Sequence, residues 1–151
     1  MRFNGALIQS NVTFSKESLE HDRPMQGQSP YIVNAGLFYN NDNLNVGIMY
    51  NVIGRRIVGI GRSADSHGGT IDNDVPDMFE MPRHALDQSI SYKFGRRYEL
   101  SAGVRNILAA PVVYKQFPKF TDNNGKIQER EQITKYYNTG QNISVSLRVN
   151  L

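Results

Sequence analysis

Three histidines, His21, His67 and His84, stand far apart in the chain, and only His67 has acidic neighbours. Asp65-Ser66-His67, followed by Asp72 and Asp74 in a glycine-rich stretch, brings together groups that could ligate calcium or another metal. Their spacing follows no known ligand loop, so the segment reads as a solvated loop. Asp122-Asn123-Asn124-Gly125 opens like a calcium loop, but such a loop needs a bidentate carboxylate at its twelfth position, and Ile133 stands there. It reads instead as a hairpin turn. Gly59-Ile60-Gly61-Arg62-Ser63-Ala64 starts a dinucleotide fingerprint and breaks it at the third glycine. Glu129-Arg130-Glu131 is a charge run with nothing nearby to bury either carboxylate and shift its pKa. The sequence has no Cys, which removes thiol nucleophiles, Cys-ligated zinc, iron–sulfur clusters and disulfides. The expectation is a protein that is not an enzyme, with no catalytic residues, no cofactor and no metal.

Seventeen Lys and Arg against fourteen Asp and Glu leave a net charge of +3 on 151 residues. The basic doublets Arg55-Arg56 and Arg96-Arg97 lie in no aromatic-rich nucleic-acid motif, so no nucleic-acid partner is expected. A membrane-spanning helix needs about 20 apolar residues. The longest weakly polar runs are Tyr31–Tyr39, interrupted by Asn34, and Ile107–Tyr114, interrupted by Pro111. Met1 to Gly5 lack the form of a signal peptide.

What could position side chains here is strand, not helix. Ile143, Val145, Leu147, Val149 and Leu151 alternate without error with Asn142, Ser144, Ser146, Arg148 and Asn150. Period two over such a length makes a strand with one apolar and one polar face. The pattern recurs in Leu86–Phe94, with Gln88 the misfit on the apolar side, in Tyr98–Val104 and in Leu44–Val52. Val33, Ala35, Leu37 and Tyr39 form a set blurred by Ile32 and Phe38; Ala6, Ile8, Val12 and Phe14 form another, with exceptions at Leu7 and Ser10. The prediction is an all-β protein, an antiparallel up-and-down meander of about six strands. Asn106 breaks the alternation after Val104, where a bulge or bend is expected.

The connections alternate in length. Asn40-Asn41-Asp42-Asn43 and Gly95-Arg96-Arg97 are tight turns, Val58–Arg83 and Ala109–Gln141 are long, and Ser15–Pro30 is intermediate. Soluble sandwiches seldom carry two loops beyond about 15 residues, whereas outer-membrane barrels combine short turns at one end with long loops at the other. The polar sides are built of Asn, Ser, Gly, Gln and Thr rather than Lys and Glu, which suits a wet lumen. Tyr39, Tyr92, Phe94 and Tyr98 flank the short turns, while Tyr114, Phe117, Phe120, Tyr136 and Tyr137 lie beyond the other strand ends, in the manner of interface girdles.

Phe79-Glu80-Met81-Pro82-Arg83-His84-Ala85-Leu86-Asp87, Ile90-Ser91-Tyr92-Lys93-Phe94-Gly95, Val104-Arg105-Asn106-Ile107-Leu108 and Tyr137-Asn138-Thr139-Gly140-Gln141-Asn142-Ile143-Ser144-Val145-Ser146-Leu147, in this order, resemble the C-terminal strands of TonB-dependent outer-membrane receptors, in their Bacteroidetes form. The resemblance runs from Ala6 to Leu151 and implies the last six strands of a barrel of about 22. Residues 1–151 would then be the C-terminal segment of one barrel domain, with plug, energy-coupling box and signal peptide upstream. It further implies the bacterial outer membrane as location and energised nutrient uptake as function. The implied partners are membrane lipid, the TonB complex through the upstream part, the barrel-assembly machinery and a surface lipoprotein. Gly140, Ile143, Val145, Leu147, Val149 and Leu151 fit the form of a barrel-assembly signal, although the family usually ends on an aromatic residue. Asn142, Ser144, Ser146 and Arg148 would face the lumen.

Two rival readings remain. A soluble lipocalin-like ligand-binding barrel suits the length but needs eight strands and short loops. Another outer-membrane barrel, such as a porin, shares the physics and lacks only the motif match. An open sheet with unpaired outer edges separates both membrane readings from a closed small barrel, which would need a ladder between Ala6–Phe14 and Asn142–Leu151.

Overall fold

The computed structural model describes residues 1–15, 22–62, 75–95 and 97–150. These form twelve strands: β1 Arg2–Leu7, β2 Tyr31–Asn40, β3 Leu44–Ile53, β4 Arg56–Gly59, β5 Met78–Glu80, β6 Arg83–Phe94, β7 Tyr98–Arg105, β8 Val112–Gln116, β9 Lys119–Thr121, β10 Ile127–Glu129, β11 Gln132–Tyr137 and β12 Asn142–Val149. No helix occurs among the described residues, so none there is long and apolar enough to cross a membrane. All the strand pairings are antiparallel.

Six strands make one meander in the order β1-β2-β3-β6-β7-β12. Its register puts like with like. Val145 faces Ala102, Ala102 faces Ile90, Ile90 faces Val46 and Val46 faces Tyr39, so one apolar row crosses five strands. Directly opposed residues share a face, and the neighbouring row runs Ser144, Gly103, Ser89, Gly47, Phe38 on the other side. Gln88 sits in the apolar set between Ile48 and Val104, as its place in the sequence pattern predicts.

The first strand departs from expectation. The Ala6–Phe14 segment is not the strand; β1 ends at Leu7, and Val12 makes only an isolated bridge to Arg23. Ala6 pairs with Ile32 on the polar side, while Phe3 and Leu7 pair with Ala35 and Tyr31 on the apolar side. Leu7 and Ile8 are adjacent and both apolar, so alternation alone cannot choose a face there. A slip of one residue exchanges the faces, and the row already set on β2 decides it.

The two long connections are not plain loops either. They carry β4, β5 and β8 to β11, and four of these form a second sheet in the order β11-β8-β5-β4. This outer sheet repeats, strand for strand, the order β12-β7-β6-β3 of the sheet below. Each outer strand follows or precedes its counterpart across a short joint, at 54–55, 81–82, 106–111 and 138–141. β5, β9 and β10 have three residues each, too few for periodicity to be readable, and in β8 and β11 the adjacent pairs Val112-Val113 and Tyr136-Tyr137 blur it. The free edge of β4 is covered by the segment before β2, where the Gly27 N–H donates to the Ile57 carbonyl at 2.7 Å and Gln26 Nε2 to that of Val58 at 3.0 Å. Asp77 ties that segment down, accepting from Arg23 Nη1 at 2.8 Å and from the Gly61 N–H at 2.7 Å.

The buried apolar side chains among the described residues are Val52, Ile57 and Val112, which lie in the outer sheet or at its border. Of these, Val52 lies near the outer end of β3 and is the one that belongs to the six-stranded sheet. Its apolar rows are open, with Ile143 and Val145 at 70% and 71% exposure.

Candidate functional site

Alternation on β3, β6, β7 and β12 collects small polar residues into two rows on the other face. Asn45, Ser91, Ser101 and Ser146 make one; Gly47, Ser89, Gly103 and Ser144 make the next. Short side chains leave space above them, and this face lines an open cavity of about 820 Å³. Asn45 Nδ2 donates to Ser91 Oγ at 3.2 Å and the Ser144 hydroxyl to the Gly103 carbonyl at 3.5 Å. At the short-turn end Arg148 Nη1 meets Glu99 Oε2 at 3.3 Å, with Arg148 largely in solvent and Glu99 mostly covered. At the other end Asp87 and Arg105 line the trough. The result is a polar wall with charge at its ends and hydroxyls between. Such a wall can hydrogen-bond water or a polar surface laid against it.

Phe38 is a large aromatic on this wall. Its ring lies across Gly36 and Gly47, and a Cβ on Gly36 would stand 2.6 Å from Cε2 of the ring. The Arg2 guanidinium lies 5.9 Å from the ring centroid. In the sequence Phe38 looked like an error in the alternation. The two glycines, one at i−2 and one across the strand pair, are the signal that a ring fills their space.

The residues proposed from sequence fall as follows. Ser144 and Ser146 line the trough, Asn142 pairs across from Arg105 on the same face, and Arg148 holds Glu99. Ile143, Val145, Leu147 and Val149 all point to the open apolar face. Gly140, with φ of 69°, turns the chain into β12. Leu151 lies outside the described residues, as do His21, His67, Asp65, Asp72, Asp74, Ser63, Ala64 and Arg96. Among the described residues no three His, Asp or Glu side chains are grouped to hold a metal ion.

Aromatic residues mark both ends of the sheet. Beside the short turn, Tyr92, Phe94 and Tyr98 stack at centroid distances of 6.5 and 5.4 Å, on the apolar face. The other short turn is closed by Asn41, whose Oδ1 accepts the N–H groups of Asn43 and Leu44. Near the outer border, on the apolar face, the Tyr50 hydroxyl hydrogen-bonds His84 Nδ1.

In the outer sheet, Arg56, Glu80, Tyr114 and Lys135 form one row across four strands. Arg56 Nη2 lies 2.7 Å from Glu80 Oε2, and Lys135 Nζ lies 5.8 Å from the Tyr114 ring centroid. The Tyr114 phenol is pushed up by its hydrogen bond with Tyr137, by burial and by the Glu80 charge. The expected hairpin turn at Asp122 joins β9 to β10. There the backbone N–H groups of Lys126 and Asn124 donate to Asp122 Oδ1 at 2.9 Å each and hold its carboxyl below the usual carboxylate range.

No family model, no curated protein and no solved structure matches the chain.

Proposed function

We propose that the chain is part of the wall of an outer-membrane β-barrel, the C-terminal strands of a TonB-dependent receptor that takes up a nutrient with energy supplied from the periplasm. The observation that carries this is the asymmetry of the six-stranded sheet: Val, Ile, Leu, Phe and Tyr side chains on one face are in large part exposed, Ile48, Ile90, Leu100, Val145 and Leu147 among them, while the rows of Ser, Asn and Gly line the trough on the other. In water, an exposed apolar surface of this extent is a liability. Against lipid it is the stable arrangement, and the polar face then lines a wet interior.

Three further features support the reading. Short turns fall at one end of the meander and the long, structured connections at the other. The stacked Tyr92, Phe94 and Tyr98 sit where a girdle at the membrane–water interface would lie. The only sheet neighbour of β1 among the described residues is β2, and that of β12 is β7, so the outer backbone groups of both edges call for further strands. Unpaired groups of this kind cost several kcal/mol each in hydrocarbon. A closed small barrel of the lipocalin kind would pair β1 with β12, and that ladder is not formed. The motif order through Asn106 and Gly140 favours the TonB-dependent receptor over a porin.

On this reading the apolar face meets lipid, the trough faces the barrel interior and the outer sheet stands on the cell surface, where a surface lipoprotein would contact it. Energy coupling to TonB would run through the upstream part, and β12 would be read by the barrel-assembly machinery. Cell fractionation of the full coding product tests the proposal. It should sediment with outer membrane and be released only by detergent, and its periplasmic part should crosslink to TonB. Recovery in the soluble fraction would end the membrane reading; membrane recovery without any TonB crosslink would favour the porin.

A further inference from the structure

The ladder between β7 and β12 stops at the pair Arg105 and Asn142 and resumes between β8 and β11 at Val112 and Tyr137. Across this gap side-chain bonds link 106–111 to 138–141, while the Ile107 N–H ties the joint to β6 by donating to the Leu86 carbonyl at 2.8 Å. Asn106 takes a left-handed conformation, φ 55°, and its Nδ2 donates to Thr139 Oγ1 at 2.8 Å and to the Gly140 carbonyl at 2.5 Å. Gln141 Nε2 reaches back to the Ile107 carbonyl at 2.6 Å. The backbone N–H of Asn106 donates to Asp87 Oδ1 at 2.8 Å, and Asp87 also lines the trough. Ala109 holds a second left-handed φ, 46°, in the same joint. Left-handed residues other than glycine persist where their surroundings hold them, and they cluster at switching and clamping sites.

We propose that Asn106 and Gln141 form a latch that sets the outer arm, residues 112–137, relative to the sheet below, and that Asp87 anchors this latch to the trough. The latch bonds are exposed, so water can replace each of them at small net cost, and they can open without breaking either ladder. A group in the trough that withdraws the Asp87 carboxylate from Asn106 would therefore loosen the arm. The inference goes beyond the membrane reading and does not depend on it, because it concerns bonds within this chain.

Hydrogen exchange on the full protein, followed by mass spectrometry, tests it. Asn106→Gly keeps the left-handed backbone and removes both amide bonds, and Gln141→Ala removes the third. Together they should speed exchange at the hydrogen-bonded amides of 106–111, Ile107 and Ala109 among them, on the order of tenfold, with the ladder between β3 and β6 unchanged. Asp87→Ala should produce the same local acceleration, and adding it to Asn106→Gly should bring little more, since one latch can be opened only once. Asp87→Asn retains an acceptor and should exchange like the unmodified protein. Unchanged exchange in the Asn106→Gly, Gln141→Ala protein would overturn the latch. Fully additive effects of Asp87→Ala and Asn106→Gly would overturn the anchor, and acceleration across the β3–β6 ladder would mean general destabilisation instead.

Discussion

The ring of Phe38 occupies the space that a side chain on Gly36 would need, with Cε2 only 2.6 Å from the position of a Cβ there. Gly47, across the strand pair, is nearly as close at 3.2 Å. An aromatic ring thus covers two bare stretches of backbone beside the rows of small polar groups. Gly36→Ala should push the ring off and cost about 1 kcal/mol or somewhat more, by overpacking. Combining it with Phe38→Ala should leave no further penalty for the added methyl group. Urea titration of the refolded protein would measure both, and a fully additive pair would show that ring and glycine do not interact.

The two faces of β12 should respond oppositely to charge. Val145→Arg near the bilayer midplane should cost about 2–4 kcal/mol in the complete barrel, whereas Ser144→Arg, which enters the trough, should cost far less. Refolding titrations in lipid vesicles give both numbers. Equal losses would reject the lipid-facing assignment of the apolar rows.

The ends of the sheet should be distinguishable from outside the cell. Lys126 lies in the turn between β9 and β10 at the far end of the outer arm, and Arg97 lies in the short turn between β6 and β7. Protease added to intact cells should cut at Lys126 and spare Arg97. Cleavage at Arg97 alone would invert the orientation.

The turn at Asp122 should depend on pH. Its folded pKa is depressed by the N–H bonds from Lys126 and Asn124, so its contribution is complete above the unfolded value of about 3.9. It is lost as pH falls through the lower folded value. The carboxyl carbon shift of Asp122, followed by NMR, should therefore titrate below the ordinary range. In Asp122→Ala the amides of Asn124 and Lys126 should exchange faster at every pH. A midpoint at or above the ordinary Asp value would remove the hydrogen bonds as its cause.

Alternation was enough to identify β3, β6, β7 and β12 and to sort their residues onto faces, because a strand's period of two is written locally. Turn chemistry was legible for the same reason: Asn41 and Asp122 cap their own turns through bonds to residues two to four positions on. The absence of Cys excludes thiol chemistry by composition alone. Beyond that, the deciding terms were not local. The face of β1 depends on Phe3 and Leu7 meeting Ala35 and Tyr31, a choice that the adjacent apolar pair Leu7 and Ile8 left open. The outer sheet depends on strands such as Met78–Glu80, too short to show a period and stable only between Arg56–Gly59 and Val112–Gln116. Asn106 stood out as a break in the pattern of β7, but its partners are Asp87 on β6 and Thr139 and Gly140 in the joint before β12. Only the folding of β6, β7 and β12 side by side brings their groups within hydrogen-bonding distance.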